Sequence, residues 1–354
     1  MRISKDASRV DFGRAVATLR VTDRFSARIG LRVVAVVLVL IGLAGVVAVI
    51  SLGTGDYTIS PPDVLRAIFG EGSRTDELVV SKWRMPRVLL ALMFGAALGA
   101  SGAIFQSLTR NPLGSPDIIG FNTGAYTGAL IVILFLQGGY YETAVGALAG
   151  GLGTALLVYV LAYRDGVQGF RLIIVGIAIS AMLQSVNVWL IIKTDLNAAM
   201  AAAVWGQGSL AGLGWDQVLP VTIVLAVLLP CAVLLAYRIP VLDLGDDAAR
   251  ALGIRVEPTR LALVLVGVAL TALATAAAGP IAFVALAAPQ LARRLTRTAS
   301  VAVLPAAAMG ALLLVTADWV AQRAFAPNQL PVGVVTVSIG GLYFVWLLAR
   351  EVRR

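Results

Sequence analysis

The sequence predicts an all-α polytopic membrane protein with ten transmembrane helices, and three observations carry that prediction. Of its 354 residues, 59% are hydrophobic and 13% charged, more apolar material than the core of a soluble domain requires. The apolar residues fall in runs matching the roughly 20 residues a helix needs to cross about 30 Å of hydrocarbon. Small residues recur at four-residue spacing within those runs, which lets membrane helices approach closely.

The chain opens with a basic arm, residues 1–31, holding Arg2, Lys5, Arg9, Arg14, Arg20, Arg24 and Arg28. It lacks the apolar core and small-residue cleavage site of a secretory signal. Phe12, Val16 and Leu19 share one helical face, so the arm reads either as a solvated tail that fixes orientation or as a helix lying on anionic lipid. Residues 32–354 read as one transmembrane domain. A first span is expected at 33–50, then an external connector at 51–83 with a short helix at 63–69 behind Pro61 and Pro62.

The stretch from Arg84 to Gly128 organises the rest. A second span, 87–108, carries Gly95, Ala96, Gly99, Ala100, Gly102 and Ala103, and the third begins with Gly120, Gly124 and Gly128. The pair is expected to pack backbone against backbone. Between them Pro112 and Pro116 stop both helices, and the polar turn so formed has to sit in water, in protein or beside a cavity.

A fourth span is expected at 143–162, a turn at 164–170 and a fifth span at 172–192. Within 193–216 the run AAMAAAVW is too short to cross and reads as an external surface helix. The sixth span, 218–236, is expected to kink near Pro230. A polar connector, 237–260, follows. The apolar run 261–292 is interrupted at Gly279-Pro280, so it reads as two spans, with the ninth at 301–322 and the tenth at 332–349. Ten spans put both ends on one side, and with that side cytoplasmic 21 of the 28 basic residues lie inside. The net charge of +9 is therefore an orientation signal and not a nucleic-acid footprint.

Catalytic groups are scarce. The chain has no histidine, one cysteine (Cys231) and no Gly-Lys dipeptide, so it offers no phosphate-cradling loop of the Walker type and no His or Cys cluster for a metal. Only Asp318 lies inside an expected span. It reads as an aspartate reaching the interface or pairing with Arg323, and otherwise as the working group of a proton-coupled carrier. Gln106, Asn122, Gln184 and Asn187 are amides in or near spans, serving either interhelical hydrogen bonds or a pathway lining. Arg84 and Arg87 begin the second span, as headgroup anchors or as contacts for a partner. In the connector, 241–258 (VLDLGDDAARALGIRVEP) holds a short helix capped by Asp243 or Asp246 and ended by Gly253. That segment is a solvated connector or a docking helix.

The pieces RMPR (84–87), GAALGASGAIFQ (95–106) and RNPLGSPDIIGFNTGA (110–125) resemble the FecCD permease family of iron-siderophore and cobalamin importers, the ferric-enterobactin permeases above all. The likeness runs from about residue 50 to the end. It implies a type II ABC importer permease in the bacterial cytoplasmic (inner) membrane, both termini cytoplasmic. It also implies a second permease chain, two ATPase subunits that hold ATP and Mg, and a periplasmic or lipoprotein substrate-binding protein. The implied cargo is a ferric siderophore, with cobalamin or heme as alternatives, and a heterodimeric permease pair is expected. LGDDAARALGI is similar to the segment that engages the ATPase, which assigns Leu244, Gly245, Asp246, Ala249, Leu252 and Gly253 to coupling. By the same resemblance Asn111, Leu113, Gln168 and Gly169 form the cytoplasmic gate, and Arg84 and Arg87 meet acidic residues of the binding protein. Relatives carry a third docking arginine where Gln322 stands here, with Arg323 beside it. At Pro289-Gln290 relatives often have Pro-His, a departure that removes the imidazole.

Overall fold

The computed structural model describes residues 16–22, 25–117, 119–163, 169–298 and 300–351. Among these residues, seven helices are long and apolar enough to cross a membrane. They are Leu31–Gly53 (α1), the continuous helix Arg74–Thr109, Tyr140–Ala162 (α6), Gly169–Ile192 (α7), Trp215–Ala236 (α9), Val256–Ala278 (α12) and Val303–Arg323 (α14). The places of the third, eighth and tenth expected spans are taken by Phe121–Ile131 (α5) with a π-helical turn to Leu136, by Val284–Thr296 (α13) and by Val332–Glu351 (α15). At 1.5 Å per residue α13 covers about 20 Å, short of a full crossing. Pro61–Ile68 (α2) starts on Ser60, whose Oγ accepts from the Asp63 N–H, and Leu196–Trp205 (α8) starts on Asp195, whose carboxylate accepts from the Ala198 N–H.

Three expectations are corrected here. The arm holds no helical face at Val16 and Leu19: Val16–Thr22 (β1) pairs antiparallel with Phe25–Gly30 (β2), Val16 opposite Gly30 and Leu19 opposite Ala27. Val and Thr give up side-chain freedom in a helix and favour a strand; Phe12 lies outside the described residues. The second span starts earlier than Arg84, as Arg74–Glu77 (α3), a π-helical stretch Leu78–Arg84 and then Met85–Thr109 (α4). The π stretch precedes Pro86, where a missing N–H and a ring clash would break a uniform α-helix. Likewise α9 runs helical through Pro220 and Pro230.

The third correction concerns the glycines. Close packing occurs where they predict it, but α4 and α5 are not each other's main partners. The main partner of α4 is α14, and that of α5 is α6. A Cβ on Gly95 would meet the Gly310 carbonyl, and one on Gly99 the Ala306 carbonyl. In the second seam Gly124 and Gly128 face Gly150 and Gly146. Helix α4 is the buried axis of the bundle, and its polar Ser101 is satisfied by donating to the Gly267 carbonyl of α12 at 2.7 Å.

Two irregular segments and the first turn of α15 also meet at main-chain contact, around Gly208, Gly279 and Gly333. The Ser209 N–H donates to the Ala278 carbonyl at 2.7 Å and the Gly333 N–H to the Gly208 carbonyl at 3.1 Å. Gly208 (φ +68°) and Gly279 (φ +75°) adopt left-handed conformations that glycine takes at no steric cost.

A paired substitution tests the α4–α14 seam. Gly310→Ala puts a methyl against the Gly95 carbonyl and is expected to destabilise the folded protein by about 1–3 kcal/mol. Gly153→Ala, in a helix with open space around the site, is expected to be neutral or stabilising by up to about 1 kcal/mol. Thermal unfolding in detergent separates the two.

Candidate functional site

At the end of the bundle where α4 terminates, the connector after α9 folds into two short helices, Ile239–Asp243 (α10) and Asp246–Ala251 (α11). Neither Asp243 nor Asp246 caps α11, against expectation. Gly245 is the N-cap residue, at φ +109°. Asp246 is instead held by a two-pronged pair with Arg260, at 2.6 and 2.9 Å, and Asp243 accepts from Ser300 Oγ at 2.9 Å. A charge-assisted bidentate pair outweighs one cap bond. Gly253 closes α11 as expected, at φ +82°. The Gly253 N–H bonds the Arg250 carbonyl and the Ile254 N–H the Ala249 carbonyl, the two bonds of a Schellman motif.

Of the residues assigned to coupling, Leu244 (66% exposed) and Leu252 (64%) stand out from the surface, with Gly253 also exposed. Ala249 is buried. It belongs to the same buried apolar cluster as Ile239 and Leu242. A partner seated on this step would therefore touch the leucines, and Ala249 would anchor the step from beneath.

The turn after α4 sits against the same step. Arg110 ends α4 in a left-handed conformation, φ +49°, and Asn111 Oδ1 accepts from the Leu113 N–H at 2.9 Å, leaving Leu113 exposed. Gly169, at the start of α7, lies against the backbone of Thr109, where a Cβ would collide; Gln168 lies outside the described residues. Two polar side chains tie the end of α4 and the turn to α13. Gln106 Nε2 donates to the Leu286 carbonyl at 2.9 Å, and Gln290 Nε2 donates to Gln106 Oε1 at 2.6 Å and to the Pro112 carbonyl at 3.4 Å. Deeper in, Asp117 Oδ1 accepts from Asn122 Nδ2 at 2.6 Å and Oδ2 from the Phe283 N–H at 3.3 Å, while Asn122 Oδ1 accepts from Thr275 Oγ1 at 3.1 Å. Gln106 and Asn122 thus make links between helices. Gln184 is exposed on α7, and Asn187 is buried with neither amide atom bonded among the described residues.

At the opposite end of α4, Arg84, Arg87 and Arg323 line one cleft of about 220 Å³ with Asp56, Trp83 and Gln329. Arg84 donates to the Leu52 and Tyr57 carbonyls at 2.8 and 2.7 Å. Arg87 grips Asp318 with Nε and Nη2, at 2.9–3.2 Å, and donates through Nη1 to Gln329 Oε1 at 2.8 Å. Asp318 therefore pairs with Arg87 and not with Arg323, and Gln322 Nε2 adds a third donor at 2.8 Å. The carboxylate is sealed, 1% exposed against 14% for the guanidinium. Arg323 has a buried Nε with no acceptor among the described residues.

The model of the FecCD transport family matches residues 24–350. The chain belongs to the FecCD transport family. It is a membrane transport protein, a permease subunit without an active site of its own. The ferric enterobactin transport system permease protein FepG of Escherichia coli is 49% identical over 317 residues, covering 90% of this chain and 96% of FepG. The iron(3+)-hydroxamate import system permease protein FhuG of Bacillus subtilis is 38% identical, covering 86% and 94% of the two chains. A solved metal-chelate type ABC transporter in an inward-facing conformation superposes with a TM-score of 0.80 at 28% identity, over 89% of this chain and 99% of that one.

For this FecCD chain, sequence reasoning gave no role to Arg110 and Asp117 and saw at Gln290 only the missing imidazole; their distant partners lie 132 to 184 residues away. It had one usable signal for Asp117, a carboxylate directly after Pro116 in the turn between two spans. The sealed Arg87–Asp318 pair supplies a test. Asp318→Ala leaves a guanidinium buried without its charge partner and is expected to cost about 3–5 kcal/mol of stability, seen as a lowered unfolding temperature and reduced yield in the membrane.

Proposed function

We propose that this chain is one permease subunit of an ATP-driven importer that moves a ferric siderophore from a substrate-binding protein into the cytoplasm. The assembly pairs it with a second, different permease chain and two ATPase subunits, which hold ATP and Mg. The observation that carries the reading is the 49% identity to FepG across nearly the whole of both chains, which includes the turn at 110–120 and the step at 239–253. On this reading ten spans place both termini in the cytoplasm, in the bacterial inner membrane.

The parts then have an order. The ATPases seat on Leu244 and Leu252, the binding protein on the rim that holds Arg84, Arg87 and Arg323, and the turn with Asn111, Leu113, Gln168 and Gly169 closes the inner mouth. ATP binding draws the ATPases together and the two permeases alternate access between them. Because Arg84 and Arg87 are already bonded within the chain, their part is to shape and charge the rim. Arg323 lines the same rim. Proton coupling through Asp318 is disfavoured, since that carboxylate holds three donor groups and is sealed from water.

Reconstitution with the second permease, the ATPase and the binding protein tests the reading. The expected result is ATP-dependent accumulation of ferric siderophore, falling at least about 10-fold in Leu244→Asp. Stimulation of ATP hydrolysis by cobalamin or heme and by no iron chelate would overturn the cargo, and uptake that persists without the ATPase subunits would overturn the class.

A further inference from the structure

Arg110 occupies a backbone position that disfavours it. It is the residue just past the end of α4, where the Arg110 N–H bonds the Ser107 carbonyl and the Asn111 N–H bonds the Gln106 carbonyl. The left-handed conformation required there, φ +49°, is taken by glycine or asparagine in most helices, because a Cβ is crowded by the carbonyl that follows. An arginine at such a site accepts a backbone penalty, so what its side chain reaches is informative.

The side chain reaches the step at 239–253. Arg110 Nη2 donates to the Leu242 carbonyl of α10 at 2.7 Å and lies 3.7 Å from Asp246 Oδ1 at the start of α11. Asp246 is itself gripped by Arg260 near the start of α12. Leu242 and Ile239 are buried and line one small crevice with Ser107 and Leu108 of α4, so the step has little freedom to slide on its apolar underside. The ion pair to Asp246 is half exposed and loose, and adds little by itself. The short bond to the carbonyl is the firm part of the link. On its other flank Arg110 is joined by one peptide bond to Asn111, the first residue of the turn that carries Leu113.

We propose that Arg110 is the positioning residue that carries movement of the 239–253 step into the 111–117 turn, so that the inner mouth follows the ATPases. This rests on the importer reading above. The arginine acts through geometry: its guanidinium fixes the distance between the carbonyl end of α10 and the C-terminus of α4, and a displaced step pulls the turn with it. Without that bond the step can still receive its partner through Leu244 and Leu252, which stay exposed. The turn's links to Gln290 of α13 and to the Phe283 N–H do not pass through that bond.

The left-handed backbone makes an unusually clean experiment available. Arg110→Gly removes the tie and at the same time places the residue that the local conformation prefers, so a loss of function cannot be put down to a damaged helix end. In the complete complex, reconstituted in vesicles with the binding protein and a ferric siderophore, ATP hydrolysis by Arg110→Gly is expected within about twofold of the unaltered complex. Cargo moved per ATP is expected to fall at least about 10-fold. A fluorophore on a cysteine at Leu113, in a background lacking Cys231, is expected to lose its ATP-dependent signal, while one at Leu244 keeps it. Arg110→Lys, which keeps the charge and one donor, is expected to fall between the two. Cargo per ATP in Arg110→Gly within about twofold of the unaltered complex would overturn the tie. So would loss of the ATPase subunits from the purified variant, because Arg110 would then serve docking and not transmission. Absence of ATP-dependent uptake by the unaltered complex would overturn the importer reading, and the tie with it.

Discussion

Two helices touch main chain to main chain only where side chains are absent or no larger than a methyl, and the seam of Gly95 and Gly99 against Gly310 and Ala306 is such a place. Lipid offers helices no hydrophobic reason to associate, so contact has to come from dispersion at close range and from polar links. The α4–α14 seam supplies the first. It makes α4 the axis on which α12, α13 and α9 also lie. Both candidate sites then hang from the two ends of one rigid element: the arginine-lined cleft at the start of α4 and the turn with its neighbouring step at the finish.

The arginines do structural work beyond orienting the chain. Arg32 donates to the Leu295 carbonyl in the last turn of α13, Arg84 to the Leu52 carbonyl in the last turn of α1, and Arg110 to the Leu242 carbonyl in the last turn of α10. Carbonyls there have no partner within their own helix and carry the negative end of its dipole. A guanidinium supplies both the donor and the charge, and its planar fork reaches two acceptors where an ammonium would serve as one point. Residues that sequence counting treats as topology signals are thereby also the cross-braces between helix ends.

How much of this could be read in advance follows from distance along the chain. Helix breaks are local events, so Pro112, Pro116 and Gly279-Pro280 announced them, and Gly253 announced the end of α11. Partnership is not local. Gly95 says that something comes close without saying that it is Gly310, and so the neighbouring glycine helix was the wrong expectation. Asp318 was expected beside Arg323 because that arginine is near in sequence, whereas Arg87, 231 residues away, holds it. Asp246 failed as a cap for the same reason, since Arg260 offered two charged donors against one backbone N–H. The family motifs located Arg84, Arg87, Asn111 and Leu113. What each touches needed coordinates.

The meeting of Gly208, Gly279 and Gly333 bears on how the protein can open. Two loops and the first turn of α15, locked by backbone contact and by bonds between their own amides and carbonyls, have no slack with which to flap. They travel as a single plug or stay put. Any aperture beside them is therefore made by tilting entire helices.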